Sequence, residues 1–156
     1  MRNTPNAVMM FAAGFGTRMK HLTKDQPKPM IKVLGRPLID HALDLAEAIN
    51  PERIVVNLHY KPEPLLAHLE GRDVHTIVER PDILETGGGL RNALPQLGDG
   101  PVFAMNTDAI WAGENPLALL LNAWEPGRMD ALLMCVPVAR AVGHSGAGDF
   151  TTSPDG

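Results

Sequence analysis

A chain of 156 residues, 44% hydrophobic and 21% charged, is long enough for one domain with a core of its own. Its formal net charge of −4 argues against a nucleic-acid binder, which would carry a basic face. The single cysteine, Cys135, excludes an internal disulfide. Residues Met1 to Pro5 hold no apolar signal region and no segment is long enough to span a membrane, so the expected compartment is the cytoplasm.

The first element is the run Ala7 to Ala12, AVMMFA, short, β-capable and closed by a glycine turn, which is the pattern of a buried parallel strand. It opens the stretch Ala12 to Pro29, AAGFGTRMKHLTKDQPKP. Gly14 and Gly16 let the backbone approach a ligand with N–H groups free for phosphate oxygens, and Arg18 and Lys28 add cations. Pro27 and Pro29 fix the backbone that presents Lys28. The glycines alone are equally an ordinary strand-to-loop turn. Met19 stands where a dinucleotide fingerprint needs its third glycine, and no G-K-[ST] follows as a P-loop requires.

The whole string A-A-G-x-G-T-R-M-x-x-L-T-x-x-x-P-K-P-M, however, resembles the signature of the sugar-phosphate nucleotidyltransferases, which join a nucleoside monophosphate to a sugar 1-phosphate. The resemblance implies a Rossmann-like α/β fold, a mainly parallel sheet with helices on both faces. It also implies that Ala12, Ala13, Gly14, Gly16 and Thr17 contact the nucleotide. Arg18 would hold the β- and γ-phosphates, and Lys28 the α-phosphate or the sugar phosphate.

Met30 to Pro37 reads as a short apolar piece closed by a turn, and Pro37 opens a helix to about Ile49 with Leu38, Ala42, Leu45, Ala46 and Ile49 on one face. Arg53 to Leu58 is the second parallel strand. Ligands bind beyond the carboxyl ends of such strands, so Asn57 and His59 are placed to matter, Asn57 as a sugar contact; a turn cap and a surface loop residue are the plainer readings. A helix over Glu63 to Leu69 precedes a third strand at Val74 to Glu79. Three consecutive glycines, Gly87 to Gly89, mark a close approach to the backbone, and Thr86 reads as the cap of a helix continuing through Leu90, Ala93 and Leu94. The string E-T-G-G-G is similar to the family segment that lies against base and ribose, which nominates Glu85, Gly87 and Gly88.

Pro101 to Asn106 is the fourth strand, followed by Thr107 and Asp108. Asp108 matches the family's metal aspartate and would hold Mg²⁺, a cation that takes few protein ligands and shares phosphate oxygens. Asn106 either contacts the nucleotide or holds the loop. A helix between Asp108 and Glu125 would be built on Leu117, Leu119, Leu120, Leu121 and Trp124, with Trp124 in the core and Trp111 lining a sugar pocket. Ala131 to Val138 reads as a fifth strand burying Cys135. The loop from Ala139 to Phe150 carries His144, a further sugar-contact candidate or an ordinary loop histidine, and the six histidines show no metal-ligand spacing. This loop and E-T-G-G-G resemble the N-acetylmuramate-1-phosphate uridylyltransferases.

The resemblance covers essentially the whole chain. It implies a single nucleotidyltransferase domain over residues 1–156, expected to lack the C-terminal part that in the family completes the sugar pocket and supplies a second metal aspartate. The implied reaction transfers UMP from UTP to a sugar 1-phosphate such as N-acetylmuramate 1-phosphate, releasing pyrophosphate, in peptidoglycan recycling. A mannose-1-phosphate guanylyltransferase and a non-catalytic nucleotide-binding regulatory subunit are the alternatives. The expected partners are a nucleoside triphosphate and a sugar phosphate, with no nucleic acid and no membrane.

Overall fold

The apolar run after Asn6 becomes a strand because both its faces can be covered: Val8, Met9 and Met10 are fully buried. The computed structural model describes residues 4–143 and 145–153. In chain order its strands are β1 (Ala7–Phe11), the short pair β2 (Lys32–Val33) and β3 (Arg36–Pro37), β4 (Arg53–Leu58), β5 (His75–Val78) and β6 (Val102–Asn106). The helices are α1 (Leu38–Glu47), α2 (Pro62–Leu69), α3 (Glu85–Leu97) and α4 (Pro116–Ala123). The main sheet runs β5-β4-β1-β6 with every pairing parallel.

Side-chain alternation along β1 divides the core in two. Val8 and Met10 face a cluster with Ile39 and Leu43 of α1, Leu65 of α2 and Leu117 of α4. Ala7 and Met9 face a smaller cluster with Ala93 and Leu97 of α3. Helices therefore cover both faces, as the sequence pattern predicts. Asp40 of α1, buried, holds α2 and the turn after it: His68 Nε2 lies 2.7 Å and Arg72 Nη2 2.9 Å from its Oδ1. The Arg36 guanidinium donates to both oxygens of Asp44, at 2.8 and 3.0 Å, and holds that carboxyl below the usual carboxylate range.

Three expectations differ from the fold. Ala131 to Val138 forms no strand. Its propensity and apolarity are suitable, but among the described residues no ladder partner adjoins it, and Leu133, Met134, Val136 and Val138 remain exposed along with Cys135. The helix expected between Asp108 and Glu125 is confined to Pro116–Ala123. The Asn115 carboxamide accepts from Leu117 N at 2.9 Å as an N-cap, and Pro116 occupies the first turn, so the start is set by N-P chemistry late in the segment. Thr86 lies inside α3, which carries no side-chain cap. Trp124 is half-buried.

No described helix is long and apolar enough to cross a membrane. Leu43, wholly inside the larger cluster, measures how far the fold rests on that core. Leu43→Ala should lower unfolding free energy by about 2–5 kcal/mol in urea titrations; a loss under about 1 kcal/mol would show that the α1 face contributes little.

Candidate nucleotide site

Parallel register brings three strand ends to one level. Phe11 pairs with Asn57 on one side and with Asn106 on the other, so the chain leaves β1, β4 and β6 together. The glycine loop departs there. Gly16 has φ +63°, and a Cβ at that position would stand 2.8 Å from Thr23 Cγ2 and 3.1 Å from Lys28 Cβ; left-handed backbone and lack of room both demand glycine. Gly14 differs, since nothing lies within 4 Å of where its Cβ would be. Its openness faces a cleft.

Thr23 anchors the loop from beneath. Its hydroxyl lies 3.1 Å from Gly16 O and 3.2 Å from Lys20 O, while its own carbonyl accepts from the Tyr60 hydroxyl at 3.1 Å. Lys28 begins a single 3₁₀ turn, Lys28–Met30, closed by Met30 N donating to Pro27 O at 2.9 Å and Ile31 N to Lys28 O at 3.0 Å. The flanking prolines thus present the lysine as the sequence pattern predicts.

The cleft, about 310 Å³, is lined by Ala12, Gly14, Gly16, Thr17, Arg18 and Lys28 from this loop, by Glu85 at the start of α3 and by Asp108 just beyond β6. Lys28 Nζ donates to Asp108 Oδ2 at 2.5 Å. Asp108 follows Thr107, whose buried hydroxyl donates to Phe11 O at 2.8 Å and fastens the end of β6 to that of β1. No group of three or more His, Cys, Asp or Glu capable of holding a metal occurs among the described residues. A hard divalent cation still fits Asp108, an oxygen donor in a cleft of phosphate-suited groups, with phosphate oxygens left to complete its shell. A neighbouring hollow of about 730 Å³, lined in part by His59, Lys61, Glu79 and Arg80, is larger but contains neither the glycine loop nor Asp108.

The remaining nominated residues lie elsewhere. Asn57 is buried with both ends of its carboxamide bonded: Oδ1 accepts from Ala12 N at 2.9 Å and Nδ2 donates to Glu79 Oε1 at 2.8 Å. That corrects the sugar-contact expectation, because the side chain is 3% exposed and lines no part of the cleft. Ala13 is buried behind the loop, Gly87 and Gly88 sit in the first turns of α3 without lining the cleft, and Asn106 ends β6 outside it. Trp111 is exposed and does not line the cleft, and His144 lies outside the described residues. His59 donates from Nδ1 to Glu79 O at 3.0 Å.

Sequence reasoning missed Phe15, Met19, Pro29 and Ile83, which also line the cleft. Phe15 carried a signal, since a large apolar residue between two glycines needs a partner. It packs edge-on to His59, centroids 5.4 Å apart.

A parallel α/β sheet at whose carboxyl end a glycine loop, two cations and two carboxylates share one cleft defines a nucleotide-binding domain of the doubly wound class. Comparison narrows the class: residues 8–144 match the MobA-like NTP transferase domain, and the chain belongs to that family. It is 42% identical, over its whole length and 68% of the relative's, to N-acetylmuramate alpha-1-phosphate uridylyltransferase of Caulobacter vibrioides. It is 30% identical to mannose-1-phosphate guanylyltransferase 1 of Arabidopsis thaliana, over 83% of this chain and 38% of that one. Among solved structures, HddC from Yersinia pseudotuberculosis, complexed with GMP-PN, superposes with a TM-score of 0.58 at 29% identity, over 66% of this chain and 48% of that chain. The chain thus spans between about a third and two thirds of the length of these relatives.

The two loop glycines should respond differently to alanine. Gly16→Ala should lower the melting midpoint by several degrees, whereas Gly14→Ala should leave it nearly unchanged and still weaken nucleotide binding, read by thermal melts and calorimetry. Equal effects of the two substitutions on melting would contradict this division.

Proposed function

We propose that this chain is the nucleotide-binding and catalytic domain of a cytoplasmic uridylyltransferase that moves UMP from UTP to N-acetylmuramate 1-phosphate in cell-wall recycling and releases pyrophosphate. The observation that carries the reading is the convergence of the glycine loop, Arg18, Lys28 and Asp108 on one cleft. Support for the uridylyl group and the muramic acceptor comes from 42% identity to the Caulobacter enzyme.

Attack by a sugar-phosphate oxygen on the α-phosphorus uses a nucleophile that is already anionic, so no general base is required and positioning with charge neutralisation does the catalysis. Arg18 and the amides around Gly14 and Gly16 would hold the β- and γ-phosphates. Lys28 would turn from Asp108 toward the α-phosphate and the incoming sugar phosphate. Asp108 would hold Mg²⁺, which supplies further neutralisation of the phosphate charge when bound. Glu85 and Ile83, which line the same cleft, would contact base and ribose.

A guanylyl reading has its own support in the Arabidopsis relative and in HddC, which was solved with GMP-PN. Pyrophosphate release with Mg²⁺ and N-acetylmuramate 1-phosphate, compared across UTP, GTP, CTP and dTTP, separates the two. Release confined to UTP is expected, and release with GTP alone would overturn the uridylyl assignment.

Lys28 pairs with Asp108 at a partly exposed site, so its removal should cost little stability. Lys28→Ala should reduce turnover by about 10²-fold or more with the melting midpoint nearly retained. A parallel collapse of stability would mean that the lysine is structural.

A further inference from the structure

Asn57 and Glu79 are polar, 3% and 2% exposed, and neither lines the nucleotide cleft. Their hydrogen bonds nonetheless end on the two segments that do. From one end, Ala12 N donates to Asn57 Oδ1 at 2.9 Å. Asn57 Nδ2 then donates to Glu79 Oε1 at 2.8 Å, and Glu79 Oε2 accepts from Leu84 N at 2.8 Å. Ala12 opens the glycine loop, and Leu84 stands between the cleft residues Ile83 and Glu85. We propose that the buried Asn57–Glu79 pair is a positioning device that sets the glycine loop at a fixed distance from the segment opening α3, and so preforms the cleft for a nucleoside triphosphate. The role rests on the nucleotide reading of that cleft.

Two features follow from the brace. Glu85, directly after Leu84, has φ +58°, a left-handed conformation rare for a residue with a side chain, and it persists only where neighbours hold it. The Leu84 bond to Glu79 is the adjacent restraint. Gly89, the third glycine of the run, is also explained: a Cβ there would stand 2.6 Å from Asn57 Nδ2 and 2.8 Å from Glu79 Oε1, so α3 lies directly on the pair. Gly87 meets nothing within 4 Å. The run therefore combines an open position with one closed by the brace.

The polarity of the chain can be reversed without changing its shape, which supplies the test. Asn57→Asp sets two carboxylate oxygens against each other. Glu79→Gln leaves a donor facing a donor at either Asn57 or Leu84. In the double variant Asn57→Asp/Glu79→Gln every bond returns. The carboxylate introduced at position 57 accepts from Ala12 N and from the carboxamide introduced at position 79, whose oxygen accepts from Leu84 N.

Amide hydrogen exchange of Ala12 and Leu84 reads the brace, and calorimetric titration with Mg·UTP reads the cleft. Each single variant should lose about tenfold or more in both exchange protection and Mg·UTP affinity, and the double variant should return both to within about threefold of the original chain. Two results would overturn the proposal: single variants that lose protection yet bind Mg·UTP normally, or a double variant that folds to the original melting midpoint without recovering affinity. Failure of the original chain to bind either Mg·UTP or Mg·GTP would overturn the nucleotide reading and the positioning role with it. Protected amides at Ala12 and Leu84 in that chain would distinguish this outcome from failure of the brace.

Discussion

The parallel hydrogen-bonding of β1 on both edges is the constraint on which the site depends. Because Phe11 is level with Asn57 and with Asn106, the glycine loop, the Asn57 carboxamide and the loop carrying Asp108 emerge at one height. A slip of one residue would exchange Val8 and Met10 with Ala7 and Met9 between two differently shaped clusters. It would also part Ala12 from Asn57. The packing that fixes the strand therefore fixes the chemistry at its end.

Cations and carboxylates share that end of the sheet. Lys28 and Asp108 satisfy each other at 2.5 Å, with side chains 24% and 38% exposed, so water screens the pair and either group can exchange its partner for a phosphate or a metal. The buried Glu79 has the opposite character, since both its oxygens accept from fixed donors. Exchangeable groups face the cleft and fixed ones stand behind it. That division is the preorganisation that phosphoryl chemistry requires.

Much of this was legible in the chain itself. β4 spans Arg53–Leu58 as its β-branched run indicates, and the glycine loop, Arg18, Lys28 and Asp108 converge as their spacing and family resemblance imply. Local signals failed where the decisive partner is remote. Ala131 to Val138 has strand composition but no ladder partner among the described residues. Asn57 at a strand end looks like a ligand contact until it is seen buried, with Ala12 and Glu79, 45 and 22 residues away, bonded to the two ends of its carboxamide. Glu79 reads as the last residue of a strand, and only the fold shows its carboxylate turned inward. The start of α4 was in view, in Asn115 and Pro116, but a long apolar run obscured it.

The central claim is that a nucleoside triphosphate binds between the glycine loop and the segment opening α3. Amide chemical-shift mapping of the ¹⁵N-labelled chain titrated with Mg·UTP tests it most directly. The largest shifts should fall on Gly14, Gly16, Thr17 and Glu85, the backbone of the smaller cleft. Shifts concentrated instead on His59, Lys61 and Arg80 would place the nucleotide in the neighbouring hollow and contradict the account.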